Sequence, residues 1–390
     1  MRRITVIGGG LAGLTAAIAA AEARAGAGVT LYESHHTLGG RARTAPAPYR
    51  TNEGPHAFYA GGPHWSWLKQ RGLLGPLAKL PPLEGARLRF HRDGRLRRVP
   101  PAAMLRLLLT KEAPVDADFT TWATGVVGTA GARAAANYVG VATFHHAPGQ
   151  LSAAFVQERF RRAAKVPPEA HYVRGGWGAV IDRMADHAWK LGVRIETGSR
   201  VDALPADRGP VIVATQLSAA RALLGDASLT WAGGRTVLLD LAVRTRRGDA
   251  FAVSDLESPG WVERFTAQDP SLAPPGEQLI QGQVPIGPDE TRADGIARAE
   301  HLLGLGFPGW RERTVFRREA LATGRTGAVD APGTTWRDRP AVDRGDGVYL
   351  AGDQVAAPGV LCEVSFNSAL TAATLALGGH RAASPPLGTP

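Results

Sequence analysis

Residues 4–7, Ile-Thr-Val-Ile, run without a break into Gly8-Gly9-Gly10-Leu11-Ala12-Gly13. This is the spacing G-x-G-x-x-G, set between a short apolar strand and an Ala-rich helix. A second apolar run, Val29 to Tyr32, follows the helix and ends at Glu33. Parts in this order specify the first half of a parallel α/β sheet that holds the ADP portion of a dinucleotide. Gly8 permits the tight turn out of the strand, and Gly10 lets a pyrophosphate approach the backbone. Gly13 lets the helix lie close on the sheet, while Leu11 and Ala12 occupy the variable positions at its start. The helix N-terminus offers free N–H groups and the positive end of its dipole to the phosphates. Glu33, about twenty residues beyond Gly13, is placed to bind a ribose 2′-hydroxyl and to repel a 2′-phosphate, which disfavours NADP.

The fingerprint does not choose between NAD and FAD. Gly39-Gly40-Arg41-Ala42-Arg43-Thr44 comes next, and its glycines and arginines can wrap a pyrophosphate from the opposite side. The competing reading of Arg41 and Arg43 is a pair of solvated loop charges. With these segments the sequence resembles the FAD-dependent amine oxidase and phytoene desaturase superfamily, whose members share the G-x-G-x-x-G-L start, the Glu and a G-G-R-x-R-T stretch.

The resemblance covers both ends and the middle of the chain. It implies FAD as cofactor, with Gly8, Gly10, Leu11, Ala12, Gly13, Glu33, Gly40, Arg41 and Arg43 around the ADP half. In Tyr349-Leu350-Ala351-Gly352-Asp353 it implies that Asp353, beside Gly352, bonds the ribityl chain; alone, such an acid reads as a turn cap. Gly359, Val360 and Leu361 precede the last helix, whose N-terminus would face the pyrimidine edge of the flavin and stabilise negative charge there. Asn52 to Tyr59 falls where the superfamily has a stretch near the flavin ring, giving Gly54 and Pro55 as cofactor contacts and His56 as a candidate proton acceptor. A lone His beside Pro is more often structural. Val201, in the run Arg200-Val201-Asp202, is a further cofactor-binding candidate.

Two departures bear on the chemistry. Many amine oxidases carry a Tyr two residues before the glutamate that opens the last helix; Leu361 stands there. They also use a late Lys to hold a water near the flavin, and this chain has no Lys after Lys190. Both features argue against simple amine oxidation and for an apolar substrate held by burial of apolar surface.

Composition sets outer bounds. A chain of 390 residues, 44% hydrophobic and 21% charged, has the make-up of a two-domain globular protein. No apolar run approaches the ~20 residues that span a bilayer. Arg2 and Arg3 before an apolar run imitate a leader, but Gly8 to Gly10 end the run at once, so the expected location is the cytoplasm. The single cysteine, Cys362, allows no internal disulfide and no cysteine metal cluster; it reads as a small buried side chain rather than a redox or flavin-linking thiol. The adjacent pair His145-His146 lacks a third ligand at metal spacing, and no metal is expected. The net charge of +10 is nearly all arginine and comes with no nucleic-acid-binding motif. Seven arginines and one acid, Asp93, lie between Arg87 and Arg106, ahead of the apolar stretch Ala102 to Leu109. They read as a hairpin around Asp93-Gly94 and a core helix, in preference to an anionic-membrane contact.

The expected fold class is α/β, with a discontinuous Rossmann-like FAD-binding domain over residues 1–75, 173–215 and 335–380. An α+β substrate domain takes 76–172 and 216–334, and 381–390 is a flexible tail. Within this plan Ala179 to Leu191 reads as a helix, Val193 to Glu196 and Arg200 to Asp202 as short strands, Val211 to Thr215 as a buried strand, and Val364 to Leu377 as the final helix. The expected activity is removal of a hydride from an apolar small organic substrate, as a dehydrogenase, desaturase or oxidase, with O₂ or another acceptor reoxidising the flavin. A redox-neutral flavin isomerase and a non-catalytic flavin-binding scaffold are the alternatives. An NAD-only dehydrogenase leaves the 39–44 and 350–353 stretches without a role.

Overall fold

The computed structural model describes residues 3–23, 28–53, 57–205 and 209–378. The chain divides into two compact units: residues 1–43, 180–231 and 336–390 form the first, and 44–179 with 232–335 the second.

The first unit is built on five parallel strands. β1 (Ile4–Ile7), β2 (Val29–Tyr32), β3 (Arg194–Glu196), β4 (Val211–Val213) and β5 (Val348–Leu350) stand in the spatial order β5-β4-β1-β2-β3. Successive strands step outward from β1 in one direction and then in the other, so β1 lies at the reversal of strand order. In such sheets ligands bind beyond the carboxyl ends of the strands at that point. Helix α1 (Leu11–Ala23) is buried on nearly every side because it packs on the sheet and also against the last helix, α3 (Cys362–Ala376). Alanines at 12, 16, 17, 20 and 21 make that double contact possible without side chains that would hold the layers apart. Helix α2 (Gly178–Lys190) buries Val180, Ile181, Met184 and Ala188, four of the five apolar positions (with Leu191) that its sequence spaces at helical period.

The second unit contains a seven-stranded sheet. Its order is Thr314–Thr323, Arg235–Arg244, Glu277–Pro285, Gly260–Arg264, Ala252–Asp255, Leu88–Arg92 and Arg95–Arg97. One face, carrying Val237, Leu239, Leu241, Val262, Ile280 and Val284, forms a core with the helix Arg292–Gly306. A separate core gathers the helices Phe119–Tyr138 and Ala153–Ala163.

Several boundaries differ from the sequence expectation. The first piece of the Rossmann-like unit ends at Arg43, not 75, because Thr44 turns into the second unit: its hydroxyl donates to Asn52 Oδ1 (2.7 Å) and accepts the N–H of Gly178 (2.8 Å). The middle piece opens at Val180 and extends to Trp231, taking in the helix Leu217–Leu224. Arg200 to Asp202 is not a strand. The chain leaves β3 through Gly198, at φ +64°, and its side chains there form an exposed Arg200–Asp202 ion pair. Leu191 falls just beyond α2 and is exposed. The hairpin around Asp93-Gly94 is present and forms the sheet edge; the apolar stretch after it is only a short helix, Ala102–Leu105, and a 3₁₀ turn, Arg106–Leu108, with Met104 and Leu107 buried. The expected 381–390 tail lies outside the described residues.

Candidate functional site

The glycine loop sits at the carboxyl end of β1. Gly8 leaves the strand at φ +109°, and a Cβ there would lie 2.5 Å from the Ala214 carbonyl oxygen. A Cβ on Gly13 would lie 1.8 Å from the Gly8 carbonyl oxygen. These two glycines are therefore demanded by the fold itself. Gly10 is different: the nearest atom to a Cβ built on it is the Gly39 carbonyl oxygen at 3.8 Å. Gly40 faces it, with Gly10 Cα the nearest neighbour at 3.7 Å, and Gly39 N–H donates to the Gly9 carbonyl (2.8 Å). Gly10 and Gly40 thus bound a cradle walled by backbone at the start of α1, with space where side chains would otherwise stand. Leu11 opens α1 half-buried, and Ala12 behind it is buried.

Glu33 ends β2 and is 8% exposed. Its Oε2 accepts the Gly9 N–H (2.7 Å), and its Oε1 accepts the His35 N–H (2.9 Å). Burial pushes this carboxyl up, but the N–H groups of His35 and Gly9 outweigh it and hold the group below its usual range. The charged carboxylate ties the end of β2 to the glycine loop. Ser34 Oγ (3.2 Å) and His35 Nδ1 (3.0 Å) also reach Oε1, so the place left for a further hydroxyl is on Oε2, which takes the Gly9 N–H.

Arg41 and Asp353, 312 residues apart in sequence, meet directly: Arg41 Nη1 donates to Asp353 Oδ2 at 2.5 Å. Burial raises the Asp353 carboxyl, yet the Arg41 charge and hydrogen bond prevail and leave it below its ordinary value. Arg43 is half-buried at the end of the same turn. Gly352 is fixed by Ser368 of α3, whose hydroxyl accepts its N–H (2.9 Å). Ser368 was not foreseen, since only the fold brings the middle of α3 beneath the 352–353 turn.

Helix α3 begins at Cys362, two residues earlier than the sequence predicts. Its cap, Leu361, has φ +55° and ψ −117°, a conformation uncommon for a residue with a side chain and of a kind that costs about 1–3 kcal/mol. Buried Glu363 holds the bend by accepting the Val360 N–H at Oε2 (2.9 Å), and a Cβ on Gly359 would lie 2.6 Å from Glu363 Cβ. Cys362 is buried. Val201 lies half-buried in the loop after β3, two residues beyond Ser199, whose N–H donates to the Glu33 carbonyl (2.8 Å). Gly54, Pro55 and His56 lie outside the described residues, so the catalytic candidate has no structural account. Among the described residues no group of three or more His, Cys, Asp and Glu could hold a metal ion, and no helix is long and apolar enough to cross a membrane.

The second unit holds polar residues that sequence reasoning missed. Glu263, 2% exposed, accepts hydrogen bonds from Trp261 Nε1 (2.9 Å), Tyr172 Oη (3.2 Å) and Gln268 Nε2 (2.8 Å). Burial, only partly offset by these donors, pushes its carboxyl up to about 7 from 4.5. The unfolded chain therefore loses this proton near pH 4.5 and the folded protein near pH 7. Between the two the folded state binds more protons, so its stability falls as pH rises through this window. The loss amounts to on the order of 3 kcal/mol and levels off above it. Urea denaturation at pH 5 and pH 8 measures this, and Glu263→Gln should flatten the difference. An unchanged slope in that variant would assign the pH dependence elsewhere.

Residues 6–71 match the family described as NAD(P)-binding Rossmann-like domain. No curated protein matches the sequence. Among solved structures, an oxidoreductase from Methanosarcina mazei superposes with a TM-score of 0.76 at 18% identity, covering 95% of this chain and 99% of the other. Cyclohexylamine oxidase from Brevibacterium oxydans IH-35A gives 0.72 at 17% identity, covering 97% and 99%. Reduced UDP-galactopyranose mutase gives 0.69 at 16%, covering 97% and 96%. These likenesses show that the chain shares the fold of these proteins, with a Rossmann-like domain at residues 6–71.

Proposed function

We propose that this protein is an FAD-dependent oxidoreductase that removes a hydride from a small organic substrate and passes the electrons to O₂ or another acceptor. The observation that carries the reading is the backbone cradle of Gly10 and Gly40 at the reversal point of a parallel sheet, joined in one unit to Glu33, Arg41 and Asp353. These donors and spaces fit a dinucleotide. The amides at the start of α1 and the Arg41 guanidinium would hold its pyrophosphate, Glu33 its adenosine ribose, and Asp353 its ribityl hydroxyls. Bound FAD supplies the hydride acceptor, and the chain supplies binding and orientation. The single, buried cysteine supports a cytoplasmic setting. The domain division proposed here follows the two compact units.

The purified protein should be yellow or become so on adding FAD, with the absorption bands of oxidised flavin. A protein that stays colourless after dialysis against FAD overturns the assignment. The fold is shared with a mutase, so a redox-neutral rearrangement is the second reading. Product masses two hydrogens below the substrate support oxidation; unchanged mass supports rearrangement.

A further inference from the structure

One edge of the seven-stranded sheet is the hairpin of Leu88–Arg92 and Arg95–Arg97. Phe90 stands opposite Arg97 in its register, and Arg92 opposite Arg95, so these four share a face. Phe90, Met104 and Leu107 belong to one buried core, which places the turns Ala102–Leu105 and Arg106–Leu108 on the same side of the hairpin as Arg95 and Arg97. Ala102 to Leu109 reads in the sequence as a core helix. In the structure only Met104 and Leu107 of this stretch are buried; Leu105 and Leu109, four residues apart, are 39% and 90% exposed, and Val99 just before them is 73% exposed. Five of the ten large apolar residues exposed among the described residues lie between Leu83 and Val115, a concentration in place of the single scattered positions normal on a protein surface.

The same segment is short of counter-ions. Arg87 pairs with Glu84 and Arg92 with Asp93 (3.0 Å each). Arg95, Arg97, Arg98, Arg106 and Lys111 are exposed and form no ion pair among the described residues. Burial, and then the charges of Arg98 and Arg87, hold the Arg89 guanidinium below its ordinary value, so these cations are near enough to repel one another. The acids stand at the ends of the segment. Asp93 and Glu257, which accepts the Gly94 N–H (3.0 Å), are at the hairpin turn, and Glu112 follows Lys111. Arginines on an edge strand discourage other strands from pairing with it, which accounts for Arg95 and Arg97. That role leaves Val99, Leu105, Leu109 and the cations beyond the strand unexplained.

We propose that this edge of the second unit docks on an anionic lipid bilayer: Leu105 and Leu109 enter the boundary between headgroups and acyl chains, and Arg97, Arg98, Arg106 and Lys111 meet the lipid phosphates. Basic charge alone would equally suit a nucleic acid, but a nucleic acid offers no apolar layer to exposed leucines, whereas a bilayer offers both. Neither half suffices by itself. Two leucines give a weak, reversible hold, and each Lys or Arg near an anionic surface adds roughly fivefold. The contact uses residues of one unit only and is independent of the reaction the protein carries out.

Sedimentation of the full chain, with FAD supplied, measures binding to vesicles of phosphatidylcholine alone and of equimolar phosphatidylcholine and phosphatidylserine. The mixed vesicles should bind it roughly tenfold or more tightly in dilute salt, and the difference should shrink as salt rises. Arg97→Gln with Arg98→Gln should weaken this binding roughly 25-fold, and Leu105→Ser with Leu109→Ser roughly tenfold. All four positions are exposed, so melting temperatures should stay near the parent's. Leu109→Cys, carrying an environment-sensitive fluorophore that buried Cys362 does not take up, should shift to shorter wavelength on the mixed vesicles and not on poly(U). Equal binding to both vesicles, no sedimentation with either, or binding unaffected by the leucine substitutions overturns the proposal. Tighter binding to poly(U) than to the mixed vesicles, with no fluorophore shift on either, overturns it in favour of a nucleic acid.

Discussion

Gly13→Ala should abolish stable folding, whereas Gly10→Ala should fold normally and lose the cofactor. The two glycines stand three residues apart in one motif, and their surroundings separate them. A methyl group on Gly13 would sit 1.8 Å from the Gly8 carbonyl oxygen and 3.0 Å from its carbon. That carbonyl belongs to backbone held on one side by the Gly8 N–H bond to Tyr32 (2.7 Å), and a Cβ on Gly8 would itself lie 2.5 Å from the Ala214 carbonyl oxygen. Neither strand nor helix can yield without opening the sheet, so a cost at the upper end of single substitutions, about 4 kcal/mol or more, is expected. The same methyl on Gly10 meets nothing nearer than 3.8 Å. Its backbone is not in the left-handed region, so stability should move by only about 0.5 kcal/mol. What it would fill is the space into which a pyrophosphate must come. A loss of about 1–3 kcal/mol of cofactor binding corresponds to roughly 5- to 150-fold in affinity. Thermal melting without added cofactor and fluorescence titration with FAD read the two effects separately. A Gly10→Ala protein that binds FAD as tightly as the parent would move the pyrophosphate away from this loop.

The contrast between these positions shows what is legible in a sequence. The spacing of Gly8, Gly10 and Gly13 announces a strand, a turn and a helix, because each local requirement acts within a few residues. Glu33 is legible as an acid at the end of β2 for the same reason, although its bond to Gly9 N–H is not. Distances along the chain hide the rest. Asp240 looks like an interruption in an apolar strand until the sheet order sets it between Gln281 and Arg318. Thr44 reads as the end of an arginine-rich turn, yet its bonds to Asn52 and Gly178 carry it into the other unit. The early start of α3 depends on Leu361 adopting a positive φ, which propensity argues against and which buried Glu363 enforces. An acid two residues after a strained cap was the available signal.

Arg41 and Asp353 pose a sharper question, since each was expected to hold a different part of one cofactor and they bond to each other. Their side chains are 30% and 17% exposed, so the pair is partly desolvated. Removing one partner takes from the other its direct ion-pair contact. Asp353→Asn and Arg41→Met should each therefore cost about 1–3 kcal/mol of stability. The double variant removes both charges and should recover much of that loss, giving a coupling of about 1–3 kcal/mol in a double-mutant cycle. FAD affinity should behave differently. If the pair served only the fold, the double variant would bind FAD nearly as well as the parent once stability returned. A guanidinium at the pyrophosphate and a carboxylate at the ribityl chain make separate bonds to the cofactor, each worth about 1.5–3 kcal/mol as a charge-assisted contact. The double variant should then be the weakest binder of the three, roughly 100-fold or more below the parent, while being more stable than either single variant. Opposite rankings in the two measurements would show that one ion pair both braces the turn and presents two cofactor ligands. Parallel rankings would return Arg41 and Asp353 to a purely structural role.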